Sequence, residues 1–262
     1  MNRVLVAAIV SLVAFDSYAD TEEDPPLAVD AEVGALLTSG NTDSTALAAK
    51  LNIKQNLTNW RTNYIAEALY KEDDVEQITD GVATEDSQVT AERYFASAQA
   101  DYKLNEEHRG LFLFGSYEED KFSGYEYQAS IAAGYSDRLF KSPYSYLDYS
   151  IGPGMSFSRT VETVDSNGNF VDNETEESAM LRVAIFYQYD FSENAKFTQS
   201  LSSDIALESG ANTKSKSVSA VTANLNESFA LKVSLSVMHN SEAPADLENT
   251  DTTTAVTLVY SF

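Results

Sequence analysis

Arg93-Tyr94-Phe95-Ala96-Ser97-Ala98-Gln99-Ala100-Asp101-Tyr102-Lys103-Leu104 is the stretch on which the reading of this chain turns. Taken alternately, its residues fall into two unlike sets. Tyr94, Ala96, Ala98, Ala100, Tyr102 and Leu104 make one face, and Arg93, Ser97, Gln99, Asp101 and Lys103 make the other. A period of two is the mark of a β-strand whose faces meet different surroundings. The apolar face is small in the middle and aromatic at both ends. The polar face carries a charge in mid-strand, which a dry sandwich core would not tolerate.

The same pattern recurs on both sides of this stretch. Leu47, Ala49, Leu51, Ile53 and Leu57 oppose Ala48, Lys50, Asn52, Lys54 and Asn56, with Gln55 the exception. Trp60, Thr62, Tyr64, Ala66, Ala68 and Tyr70 oppose Arg61, Asn63 and Glu67. Further along, Tyr125, Tyr127, Ala129, Ile131, Ala133 and Tyr135 share a face, as do Leu181, Val183, Ile185, Tyr187 and Tyr189. Segments of ~10–14 residues exceed the usual strand of 5 or 6 and suffice to cross a bilayer at a tilt. Aromatic ends and a charged opposite face fit a membrane barrel with interfacial girdles and a wet or networked lumen. The expected fold class is all-β, a transmembrane antiparallel up-and-down β-barrel of about twelve strands.

The N-terminus reads as an export signal. Arg3 precedes an apolar run from Val4 to Phe15, and Ser17-Tyr18-Ala19 offers a cleavage site. The run is shorter than the ~20 residues of a spanning helix. The domains expected are therefore a signal peptide at 1–19, a periplasmic lead-in at 20–27 and a barrel at 28–262, with the product in the bacterial outer membrane.

Connections alternate in length. Thr58-Asn59, Asn105 to Glu107, Ser192 to Asn194 and Asn226 to Ser228 are short; Lys71 to Val89 and Ser158 to Ser178 are long and acidic. Short periplasmic turns and longer outer loops are the expected asymmetry. The outer loops are placed at 39–43, 71–89, 118–124, 158–178, 209–213 and 241–250. Ser39-Gly40-Asn41-Thr42 and Ser209-Gly210-Ala211-Asn212-Thr213 look like tight hairpins using positive φ. Leu111 to Phe114 is continuously apolar, so its facing is ambiguous, and Gly152-Pro153-Gly154 predicts a bulge or sharp bend.

The chain ends on Thr254, Val256, Leu258, Tyr260 and Phe262 along one face. Tyr260 and Phe262 resemble the C-terminal signal by which the barrel-assembly machinery recognises outer-membrane barrels for insertion. Together with the Ser39-Gly40-Asn41-Thr42 turn and the Gly152-Pro153-Gly154 strand, this terminus resembles the salt-induced outer-membrane protein family, defined by a bacterial domain of unknown function. The resemblance implies an outer-membrane barrel linked to salt stress and supplies no catalytic residues.

Composition narrows the function. With 41 acidic against 17 basic residues the net charge is −24, which argues against nucleic acid as a partner. There is no cysteine, hence no disulfide, thiol nucleophile or thiolate metal site. The two histidines, His108 and His239, lie too far apart in sequence for a transition-metal cluster. His239 paired with Ser203 is the one route to a hydrolase, a remote alternative, and the chain is expected not to be an enzyme and to hold no cofactor. Glu72, Asp73, Asp74 and Glu76, and Glu174, Glu176 and Glu177, are weak candidates for loose Ca²⁺ or Mg²⁺ binding, including bridging to lipopolysaccharide phosphates.

The charges expected to face the lumen are Lys50, Lys54, Arg61, Glu67, Arg93, Asp101, Asp148, Arg182 and Asp204. Ala46, Ser97, Ser130, Ser150 and Ser202 favour an open lumen, whereas Leu69, Phe95, Tyr146 and Phe186 favour a filled one. Two readings follow. One is a narrow, cation-preferring pore or small-solute channel for envelope adaptation, its acidic mouth attracting cations. The other is a closed structural barrel whose acidic loops bind divalent cations, lipopolysaccharide or surface partners. The oligomeric state is not readable from the sequence.

Overall fold

The computed structural model describes residues 25–38, 44–79, 82–105, 108–121, 123–164, 170–242 and 248–262. At 35–38, 44–45, 73–79, 82–87, 163–164 and 170–171 the description is of the backbone alone. The expected signal peptide, most of the lead-in and the 39–43 turn lie outside these residues.

The strands in chain order are β1 (Leu27–Thr38), β2 (Ser44–Asn56), β3 (Trp60–Thr79), β4 (Val82–Lys103), β5 (Gly110–Asp120), β6 (Tyr125–Lys141), β7 (Ser145–Thr160), β8 (Thr163–Val164), β9 (Phe170–Val171), β10 (Thr175–Ser192), β11 (Ala195–Ala206), β12 (Lys214–Asn224), β13 (Phe229–Asn240) and β14 (Thr250–Ser261). Twelve of them form a closed antiparallel barrel, and β8 and β9 make a separate two-stranded ribbon. Each barrel strand pairs with its chain neighbours, and β1 closes the ring on β14 through Asp30↔Ser261 to Val33↔Leu258. Phe262 seals that seam: Val29 N donates to Phe262 O at 3.1 Å, and Phe262 N donates to Val29 O at 3.0 Å. Closure gives every barrel strand a partner on both sides, the condition for a sheet to cross hydrocarbon.

The outer surface is apolar. Leu47, Leu51, Leu113, Ile131, Leu201, Leu231, Val256 and Leu258 stand exposed around the belt. Trp60 packs edge-on against Tyr102 at 5.2 Å near the short-turn end, and Tyr117 stacks on Tyr127 at 6.0 Å towards the other. The ambiguous fifth strand resolves by alternation. Leu113 is 64% exposed on the outside, while Phe112, 3% exposed, and Phe114 point inward and pack with Ala132 and Met180. Leu113→Arg is accordingly expected to destabilise the folded barrel by about 2–4 kcal/mol, the cost of a cation on the lipid face at mid-bilayer. Urea unfolding in lipid vesicles measures it, and a change below ~0.5 kcal/mol would place Leu113 away from lipid.

Three sequence expectations are corrected. The segment expected as a loop at 71–89 is a continued hairpin: β3 and β4 stay paired from Lys71↔Ala91 to Thr79↔Val82, with one register shift between Lys71 and Glu72. The run is polar but contains Val75, Ile78, Thr79, Val82, Thr84 and Val89, residue types suited to a pleated ribbon. The 158–178 segment is likewise shortened by β7, which reaches Thr160, and β10, which starts at Thr175. The 118–124 segment is not all turn, because Glu118 and Asp120 belong to β5.

Gly152-Pro153-Gly154 makes no bulge. The β7–β10 register runs unshifted through Met180↔Gly154, Leu181↔Pro153 and Arg182↔Gly152. On the other side, Ala132↔Gly154 and Tyr135↔Ile151 keep one register. The glycines serve close approach instead. A Cβ on Gly134 would sit 2.5 Å from Gly152 Cα, and one on Gly152 would sit 2.6 Å from Gly134 Cα. Of the two turns expected to use positive φ, the described one takes it at Gly210 alone, with φ of 86°.

Candidate functional site

Strand alternation places the charged face inside, and contacts between strands that are not neighbours show how far it reaches. Lys216 on β12 donates to Glu67 on β3 at 3.0 Å, with β13, β14, β1 and β2 lying between them around the ring. Lys214 on β12 donates to Glu118 on β5 at 2.6 Å across the other half, past β11, β10, β7 and β6. Both bridges therefore cross the lumen.

They belong to one network. Glu67 also accepts from Lys50 at 2.9 Å and lies 3.7 Å from Arg93. Glu118, 3% exposed, accepts from Arg93 at 2.5 Å. Lys214 donates in addition to Gln128 Oε1 at 2.7 Å. Four cations thus share two carboxylates. Around them are separate pairs: Arg182 with Asp204 at 2.6 Å and Lys232 with Glu32 at 2.8 Å.

A second level lies nearer the short-turn end. Arg138 pairs with Asp148 at 2.5 Å and sits over the Tyr146 ring at 4.1 Å. Tyr146 packs against Phe186 at 5.9 Å, and Lys54 reaches Phe186 from the opposite wall at 5.6 Å. At that end Arg61 meets His108 Nδ1 at 2.8 Å, and Ser136 donates to Asp101 at 2.5 Å. Serine hydroxyls occur on the same inner face: Ser116 and Ser130 are 2.8 Å apart. Beside the upper bridges, a cavity of about 80 Å³ is bounded by Phe95, Phe114, Arg182, Lys214 and Lys216.

The lumen charges anticipated from the sequence all occur in these contacts. Glu32, Glu118, Arg138, Lys214, Lys216 and Lys232 were not among them. The sequence pattern places Glu118 in a loop. The β12 lysines were hidden because the other face of that strand, Ser215, Ser217 and Ser219, is polar too.

The acidic runs are dispersed. Glu72 accepts from Tyr70 at 3.0 Å, and the side chains of Asp73, Asp74 and Glu76 lie outside the description. Glu176 lines the cavity, whereas Glu174 and Glu177 are exposed. Among the described residues no three His, Asp or Glu side chains gather as a metal site. At the long-loop end Lys121 donates to Glu92 at 2.8 Å, and that hydrogen bond raises the lysine pKa. Asn240 on β13 joins Asn212, in the turn before β12, and Gln128 on β6 beneath the mouth, and Tyr125 donates to Glu242 O at 2.5 Å.

His239 and Ser203 line one groove on the lipid-facing side. His239 Nδ1 lies 2.9 Å from Thr250 Oγ1, and Ser203 bonds Ser215 at 2.8 Å.

A closed barrel with an apolar belt, aromatic rims and an ion-paired interior defines an outer-membrane β-barrel protein. The chain belongs to the family described as "Protein of unknown function, DUF481", which matches residues 31–262. It is 27% identical to the uncharacterized protein YdiY of Escherichia coli (strain K12), over 97% of this chain and 92% of that one. The translocator domain of the autotransporter NalP from Neisseria meningitidis shares the fold, with a TM-score of 0.51 at 10% identity over 92% of this chain and 90% of that one. The NanC porin aligns with a TM-score of 0.48 at 9% identity over 89% of this chain and 98% of that one.

Proposed function

We propose that this barrel is a narrow channel for small solutes, restricted at its waist by ion-paired side chains, and that it serves adaptation of the envelope to salt. The make-up of the waist carries the reading. The crossing bridges end on the ammonium groups of Lys214 and Lys216, each on a flexible four-carbon stem, so the obstruction is movable side chain rather than backbone. Hydroxyl and charged groups share the rest of the path with the aromatic rings of Phe95, Phe112, Phe114 and Phe186, and the polar ones suit a wet lumen.

The cation preference belongs to the mouth on this reading. Acidic outer segments concentrate cations there. The waist holds the opposite excess, and the narrowest point weighs most in selectivity. The family resemblance is what suggests salt stress. The barrel acts without catalysis or cofactor, lies among lipid and lipopolysaccharide, and is inserted by the assembly machinery through the strand ending at Tyr260 and Phe262.

Single-channel recording of refolded protein in planar bilayers under a salt gradient tests this. Wild type is expected to give small discrete steps, and Lys214→Met with Lys216→Met steps at least about twofold larger. Silence in both, with heat-modifiable gel migration showing folded barrels, would favour the second reading of a closed structural barrel. That reading is supported by side chains meeting across the lumen at two levels.

A further inference from the structure

The cavity beside the crossing bridges is bordered by Arg182, Lys214 and Lys216 and by the carboxylates of Glu118, Asp204 and Glu176. Arg182 is 9% exposed, and its Nε has no hydrogen-bond partner although Nη1 holds Asp204. Its guanidinium carbon lies over the Phe114 ring, 3.4 Å from the centroid. Lys216 spends one hydrogen bond on Glu67 and rests 4.9 Å from the Phe95 centroid. Lys214 spends two, on Glu118 and Gln128. An ammonium has three donors and a guanidinium five, so donors remain at all three groups. The nearby carboxylates are committed: Glu67 serves Lys50, Arg93 and Lys216, and Glu118 serves Arg93 and Lys214. Glu176 also borders the cavity, but towards the long-loop end of β10.

We propose that the cavity bounded by Arg182, Lys214 and Lys216 binds a small solute through an oxyanion, a carboxylate or phosphate group. The inference rests on the channel reading and gives that channel an anionic solute at its waist. An oxyanion would accept from the unused donors of Lys214, Lys216 and the Arg182 guanidinium, as charge-assisted hydrogen bonds. It replaces Glu67 or Glu118 as the partner of a lysine, so each bridge opens as the solute arrives. The serines of the same face suit a hydroxylated carbon chain.

Calorimetric titration of the detergent-folded protein with gluconate and with inorganic phosphate tests the site without reference to conduction. Saturable, mutually competing binding is expected, with choline giving none. Gluconate alone would identify a carboxylate site and phosphate alone a phosphate site. Lys216→Gln should weaken binding about tenfold. Glu67→Gln should strengthen it several-fold, because it removes the competing carboxylate; a purely structural role for Glu67 predicts weakening instead. No saturable binding of either anion, preference for choline, or weaker binding by a folded Glu67→Gln barrel overturns the proposal. Bilayer recording separates the two ideas. A barrel that binds gluconate but never conducts keeps the site and loses the channel, and one that conducts without binding does the reverse.

Discussion

Replacing Glu118 with leucine is expected to destabilise the folded barrel by about 3 kcal/mol, read as the urea midpoint for loss of the heat-modifiable form in lipid vesicles. The carboxylate is 3% exposed and holds Arg93 at 2.5 Å and Lys214 at 2.6 Å. Removing it leaves Arg93 only the 3.7 Å approach to Glu67 and Lys214 only the neutral Gln128. Breaking a buried pair by deleting one partner costs about 3–5 kcal/mol, and the lower end applies because water can reach the lumen. The triple variant that also replaces Arg93 and Lys214 with methionine should recover much of the loss, since the cost lies in uncompensated charge. A Glu118→Leu protein within ~0.5 kcal/mol of wild type would show that the bridges are not formed.

The second large effect is steric. Gly152→Val is expected to prevent folding altogether, giving no heat-modifiable species after refolding. Its Cβ would lie 2.6 Å from Gly134 Cα and even closer to the carbonyl oxygen of Ala133. Both obstacles are main chain of β6, which cannot move without parting the ladder. Overpacking against adjustable side chains costs about 1–3 kcal/mol, and here nothing adjusts. Gly115→Ala is the control, because its nearest neighbour is Ser130 O at 4.0 Å, and it should fold like wild type. Normal folding of Gly152→Val would mean that β6 and β7 are farther apart than described.

These two sites mark the boundary of what the sequence makes legible. Strands such as β3, β4 and β10 could be read because their faces differ in polarity, as Tyr94, Ala96 and Ala98 differ from Arg93, Ser97 and Gln99. On β12 that contrast fails, so Lys214 and Lys216 could not be assigned a direction. On β5 the run from Leu111 to Phe114 is apolar on both faces because Phe112 and Phe114 fill the lumen. Without the facing of β5, Glu118 looked like the start of an acidic loop. The proline between two glycines suggested a kink, yet its lost donor is absorbed at a strand pair where the ladder simply skips bonds. The partnership of Lys216 with Glu67 depends on barrel size and stagger, and neither is written in any local window.

The continued pairing of β3 with β4 gives the molecule a long reach. The 22 residues of β4 extend ~70 Å along the strand at ~3.3 Å per residue, while the apolar band of such a barrel is only ~25 Å tall. Even at a tilt of ~40°, much of the ribbon must stand clear of the bilayer. If the long connections face outward, whatever meets the cell from outside, an antibody or a phage fibre, would meet the β3–β4 ribbon well before the barrel rim. Sequence change there would be free of the constraints that hold the lumen.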